Sequence, residues 1–223
     1  MAGGVKVGGQ KVGGLPRILA ALEALAAWSG LGIQYWLLVK TTGGPMPAAW
    51  LFLGYFTLLT NSWVALIATR AALSPAARGG LNAPRMEYAA AVSITLVGLA
   101  YSLLLRGAWQ PEGWQAVADH ALHDVSPVLF VLFWLARVRA GVGRGPAWRD
   151  APWALVFPVG YFVYALGRGA IDGWYAYWFL DPATQSVGEL AVSVAALAAG
   201  VAVLALGFVL LGRAVGRTGQ SEA

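Results

Sequence analysis

The chain has 223 residues, of which 59% are hydrophobic and only 11% charged, with 29 glycines, 11 tryptophans and no cysteine. So apolar a chain is not a soluble globular domain; its length divides instead into membrane spans of about 20 residues each. The formal net charge of +5 is no nucleic-acid signal, because no basic face interleaved with base-reading side chains accompanies it, and the lack of cysteine excludes a disulfide framework, a thiol nucleophile and a thiolate metal site.

Residues 1–16, MAGGVKVGGQKVGGLP, are glycine-rich and basic and read as a flexible tail. The first apolar run is too long for a signal peptide and lacks a small-residue cleavage pattern. Six spans are predicted, at Ile18–Val39, Ala48–Thr69, Glu87–Leu105, Trp114–Arg137, Pro152–Gly169 and Ser186–Gly212. The fold class is therefore all-α: a polytopic membrane protein, a bundle of six transmembrane helices over residues 17–213, with residues 214–223 as a second tail. Lys6, Lys11, Arg17, Arg70, Arg78, Arg85, Arg137, Arg139, Arg144, Arg149, Arg213 and Arg217 fall on one side of that bundle, leaving Lys40, Arg106 and Arg168 on the other. The positive-inside rule then puts both termini in the cytoplasm, with the chain in the cell (plasma or inner) membrane.

Sorted by depth in this topology, the polar residues gather in the outer half: Gln34, Thr57, Thr60, Asn61, Tyr101, Arg106, His120, His123, Asp124, Tyr164, Arg168 and Glu189. Such a layer implies a polar cavity open to the outer leaflet or outer water. In the second span Thr57, Thr60 and Asn61 fall at i, i+3 and i+4, one stripe of a helix. Thr57 is about 12 Å into that predicted span at 1.5 Å per residue, a depth similar to that of His123.

A hydroxyl and an imidazole at matched depth form the minimum pair for nucleophilic catalysis. Asn61, Arg106 and Arg168 are candidate donors to a developing oxyanion. Threonines in membrane helices also bond their own i−4 carbonyl or pack helix on helix.

His120 and His123, the only histidines, are one helical turn apart. With Asp124 and Asp119 they have the ligand chemistry of a divalent-metal site. No carboxylate at mid-depth on another span completes one, so no metal and no other cofactor is assigned. His123, the deeper of the two, is the better proton carrier. Arg168 either clamps a substrate carboxylate or snorkels to headgroups. Glu23, near the inner end of the first span, is expected to pair with a loop arginine. Pro127 and Pro158 interrupt backbone bonding within spans four and five. The loop Asp172–Thr184, with five aromatics between Trp174 and Phe179, suits a cap over a cavity or a layer on the membrane surface.

Three segments, YFTLLTN from Tyr55, HDVSPVLFVLFWL from His123 and GWYAYWFLD from Gly173, together with GLAYSLLLRG at the end of span three, resemble the androgen-induced-protein family of six-span membrane proteins, bacterial branch. The likeness covers most of residues 15–212, and its force lies in the order and spacing of the segments. It implies a threonine hydrolase acting on fatty-acid esters of hydroxy fatty acids, with one threonine and one histidine as catalytic residues.

The family histidine matches His123. The threonine matches Thr57 without a gap, or Thr60 if the asparagine is aligned. Asn61, Arg106, Arg168, His120 and Tyr164 are then placed around the substrate. The chain departs from the animal pattern with Asp124 after the histidine and Trp178 in the aromatic loop. Asp124, adjacent to His123, points away from it on a helix, so no third residue is expected to fix the imidazole and turnover should be slow. The expected partner is a membrane lipid or amphiphilic ester held within the bilayer, with no nucleic acid. The competing reading is a non-enzymatic transporter or binding protein for lipids or small molecules.

Overall fold

The computed structural model describes residues 6–7, 10–11, 14–107, 110–143 and 145–221. Its helices are α1 (Gly14–Thr42), α2 (Pro45–Phe52), α3 (Phe56–Leu73), α4 (Pro84–Ala100), α5 (Gly113–His120), α6 (Ser126–Arg139), α7 (Trp153–Asp172) and α8 (Val187–Ser221). A π-helical turn, Tyr101–Leu105, extends α4, and a second, Ala121–Val125, joins α5 to α6 without a break. Six of the resulting helices are long and apolar enough to cross a membrane, and the protein is an all-α polytopic bundle.

Of the expected N-terminal tail, Lys6–Val7 and Gln10–Lys11 pair as a two-residue antiparallel ladder and α1 begins at Gly14; residues 1–5, 8–9 and 12–13 lie outside the described residues. At the other end α8 runs on through most of the expected tail.

The long helices pack as a ring of α1, α3, α4 and α6, with α7 and α8 laid against α4. Phe130, Phe133, Trp134, Ile94 and Val64 fill the centre and are almost fully buried. Leucines and valines such as Leu25, Val128, Val163 and Val203 face outward, as expected where the solvent is hydrocarbon rather than water.

At the end of the bundle rich in arginine, Arg137 is buried at the foot of α6. Its Nε donates to both Glu87 oxygens, at 2.9 and 3.0 Å, and Nη1 and Nη2 donate to the carbonyls of Pro75 and Ala77. Asn82 completes the cluster, donating to Glu87 Oε1 at 2.9 Å and to the Ile67 carbonyl at 3.1 Å. Removing one member of a buried pair strands the other charge. Arg137→Ala is therefore expected to cost about 3–5 kcal/mol, seen as a lowered Tm for the purified protein in detergent.

Two expectations are corrected at this level. The predicted second span, Ala48–Thr69, is two helices: α2 ends at Phe52, Tyr55 is extended (φ −96°, ψ 127°), and α3 starts at Phe56. The break falls at Gly54, where a Cβ would collide with the Arg168 guanidinium and the Trp174 ring. Thr57 consequently stands in the first turn of a helix rather than two turns inside one. Among the described residues Glu23 meets no arginine: it is fully buried between α1 and α6, where Ser126 Oγ donates to its Oε1 at 2.7 Å.

Candidate functional site

The aromatic loop after α7 folds back over the end of the bundle opposite Arg137. Trp174 lies on Gly54, and the Tyr175 ring occupies the space a side chain at Gly169 would need. Tyr177 stacks on Phe179, with ring centroids 5.2 Å apart, and meets Tyr55 and Tyr161 edge-on.

Under this loop lies a cavity of about 470 Å³ walled by Gln34, Tyr55, Thr57, Tyr101, Asp119, His123 and Tyr177. A smaller, more apolar hollow of about 50 Å³ adjoins it, also lined by Thr57, Tyr101, His123 and Tyr177, with Pro158 and Phe179. The larger volume is that of a small-molecule site. Thr57 and His123 thus share both spaces.

The two threonines separate cleanly. Thr60 is fully buried and donates to the Phe56 carbonyl at 2.7 Å, the i−4 bond that removes a helical threonine from chemistry. Thr57, in the first turn of α3, lines the cavity.

His123 is carried by the second π turn. Its Nδ1 lies 3.0 Å from the Asp119 carbonyl oxygen and 3.3 Å from Asp119 Oδ1. Both are acceptors, so Nδ1 holds the hydrogen and Nε2 keeps its lone pair in the neutral ring. Tyr101, on the facing π turn, stacks on the imidazole with centroids 4.1 Å apart. The expectation that nothing fixes the imidazole is therefore overturned by Asp119, one helical turn before the histidine. That i, i+4 spacing is the signal the sequence carries for it. Tyr101 and Tyr177 carried no comparable signal, since their contacts join segments distant in sequence.

Asn61 is not an oxyanion donor. Its Nδ2 donates to the carbonyls of Thr57 at 2.9 Å and Leu122 at 3.2 Å. The π turn explains the second bond. Ser126 N–H reaches back five residues to Ala121, so the Leu122 carbonyl should next meet residue 127, which is proline and has no N–H. Asn61 satisfies that orphan and, with the same amide, holds the Thr57 backbone to the residue before His123. Asn61→Leu leaves a buried carbonyl unpaired and is expected to cost about 1–3 kcal/mol, measured as a fall in Tm in detergent.

The other expected substrate groups lie elsewhere. His120 is exposed, its Nδ1 2.7 Å from Asp124 Oδ2, and Asp124 also pairs with Arg106; this triad does not line the Thr57 cavity. The two histidine rings consequently answer to different carboxylates. Among the described residues no group of three or more His, Asp or Glu side chains is placed to hold a metal ion.

Arg168 is only 5% exposed. Its Nε donates to Asp172 at 3.1 Å, and its guanidinium sits 4.3 and 5.0 Å from the Trp50 and Trp174 rings. It pins the loop to α2 rather than facing the cavity. Tyr164 lines a separate apolar groove with Trp63, Arg85 and Trp153. Glu189 and Ser186 form a reciprocal cap on α8.

Fold and site together define a polytopic all-α membrane protein with a hydroxyl–imidazole–carboxylate cavity under an aromatic loop. Compared with protein-family models, curated proteins and solved structures, the chain matches none.

Proposed function

We propose that this protein is an integral-membrane lipid-ester hydrolase with Thr57 as nucleophile, His123 as general base and Asp119 as the group that orients the base. The observation that carries the reading is that Thr57 and His123 line the same cavity while Asp119 holds His123 Nδ1 and leaves Nε2 free. The resemblance to the androgen-induced-protein family, whose histidine and ungapped threonine fall on these two positions, supports it. The bundle sits in the cell membrane with both termini in the cytoplasm, which puts the cavity in the outer half of the bilayer.

The acyl transfer has two halves. Thr57 Oγ attacks the ester carbonyl carbon as its proton passes to His123 Nε2, and the carbonyl electrons move onto oxygen. The tetrahedral intermediate collapses, the C–O bond to the alcohol breaks, and the departing oxygen takes the proton from His123. Water then loses a proton to His123 and attacks the threonyl ester, and as the intermediate collapses the carbon–Thr57 Oγ bond breaks and His123 returns its proton to Thr57 Oγ, releasing the acid.

The apolar lining by Leu96, Val97, Leu104 and Leu105 favours an amphiphilic ester with a long acyl chain, of the kind of a fatty-acid ester of a hydroxy fatty acid. The test is covalent labelling of purified protein with a fluorophosphonate, in which the threonine oxygen displaces fluoride from phosphorus. Labelling of the wild type that is lost in Thr57→Ala and His123→Ala supports the reading; labelling equal in all three sinks it.

A further inference from the structure

The proposed ester cleavage piles negative charge on the carbonyl oxygen, and a hydrolase needs hydrogen-bond donors where that charge forms. The groups that the sequence nominates do not line the cavity. Asn61 spends its Nδ2 on two backbone carbonyls, Arg106 pairs with Asp124 outside the cavity, and Arg168 is packed between tryptophans beneath the loop. Gln115 donates to Gln34 Oε1 at 2.8 Å, and the Tyr101 ring is stacked flat on the His123 imidazole.

Tyr177 is the hydroxyl that the aromatic loop places in the walls of both hollows. It shares those walls with Thr57, in the first turn of α3, and with His123. A phenol carries one hydrogen to donate. Burial pushes the Tyr177 phenol above its ordinary range, so that hydrogen stays in place across the working pH of an ester hydrolase.

The ring is also held in position. It stacks on Phe179 at a 9° interplanar angle and is gripped edge-on by Tyr55 and Tyr161. Tyr161 is itself anchored by its hydroxyl donating to the Gly54 carbonyl at 2.8 Å. Tyr177 lines both hollows that Thr57 and His123 line.

We propose that Tyr177 is a catalytic residue, its phenol O–H donating to the oxyanion of the tetrahedral intermediate formed on Thr57, so that the aromatic loop supplies part of the active site and is not only its cover. The inference rests on the hydrolase reading. As Thr57 Oγ bonds to the carbonyl carbon, the carbonyl oxygen gains the electron pair and accepts from Tyr177; when the C=O bond re-forms, the phenol keeps its proton and no net transfer to it occurs.

The test uses the full chain in detergent with p-nitrophenyl octanoate. Tyr177→Phe keeps the ring stack and removes the donor. It is expected to lower kcat by about 10²-fold with KM within about twofold, and to weaken binding of octyl trifluoromethyl ketone, which forms a tetrahedral adduct, by a similar factor. Tyr177→Phe turnover equal to wild type, or a loss expressed only in KM, would overturn the role of the phenol while leaving Thr57 as nucleophile. No Thr57-dependent turnover in the wild type would overturn both.

A second measurement does not depend on that variant folding. With 3-fluorotyrosine at position 177, the ¹⁹F resonance is expected to shift when the trifluoromethyl ketone adduct forms and to stay put with octyl methyl ether. An unmoved resonance on adduct formation refutes the proposal.

Discussion

Thr57→Ala is expected to lose ester turnover to the uncatalysed level, a fall of at least about 10³-fold in kcat, with the folded protein recovered in full. Loss of the nucleophile removes the covalent path, and removing His123 should cost about as much, because residues that act as one unit do not contribute additively. The double variant Thr57→Ala with His123→Ala is then no worse than either alone.

Thr60→Ala makes the sharper contrast. Its hydroxyl is spent on the Phe56 carbonyl inside the bundle, so turnover should stay near wild type. Measured kcat for the four proteins decides the matter: a Thr60→Ala protein as dead as Thr57→Ala would exchange their roles. Thr57 carries no intrahelical restraint of that kind, because the first turn of α3 begins beside it.

The second large effect belongs to Asp119. Asp119→Asn is expected to lower kcat by about 10²-fold, equivalent to about 2.7 kcal/mol of transition-state stabilisation at 1.36 kcal/mol per decade. The reason lies in what the substitution keeps. The Asp119 backbone carbonyl, 3.0 Å from Nδ1, continues to hold the tautomer that leaves Nε2 free. What is lost is the negative charge that stabilises the imidazolium formed as Thr57 gives up its proton. If the carboxylate were only a packing element, Asp119→Asn would leave kcat unchanged at saturating substrate, and that result would remove Asp119 from the mechanism.

Much of the architecture was legible because hydrophobic runs of membrane length leave few alternatives: the six spans, their order and the choice of His123 over His120 for the cavity all follow from apolar periodicity and depth. The break in span two was not legible. Leu53, Gly54 and Tyr55 are apolar enough to continue a helix, and what stops it is the Arg168 guanidinium and Trp174 ring on Gly54, supplied by residues more than a hundred positions away. The arginines misled for a related reason. Arg106 and Arg168 have the right chemistry for a carboxylate clamp, yet each is claimed by an acidic neighbour, Asp124 or Asp172. For Arg168 the claimant lies one turn along the same helix. The role of Asp119 was within reach of the same one-turn rule. Tyr177 was not, because its ring neighbours Tyr55 and Tyr161, and the cavity wall it shares with Thr57, are brought to it only by the fold of the loop.

The π turn at Ala121–Val125 has a wider effect on span four. An α-helix advances about 100° per residue, and a turn that takes in one extra residue shifts the phase of everything beyond it by about that angle. Asp119 and His123 therefore obey one helical wheel and Phe130, Phe133, Trp134 and Arg137 another, with the step between them at the candidate base. A single deletion at Ala121, Leu122, Asp124 or Val125 would bring the two wheels into phase, so that the imidazole and the core face of Phe130, Phe133 and Trp134 no longer both keep their present positions.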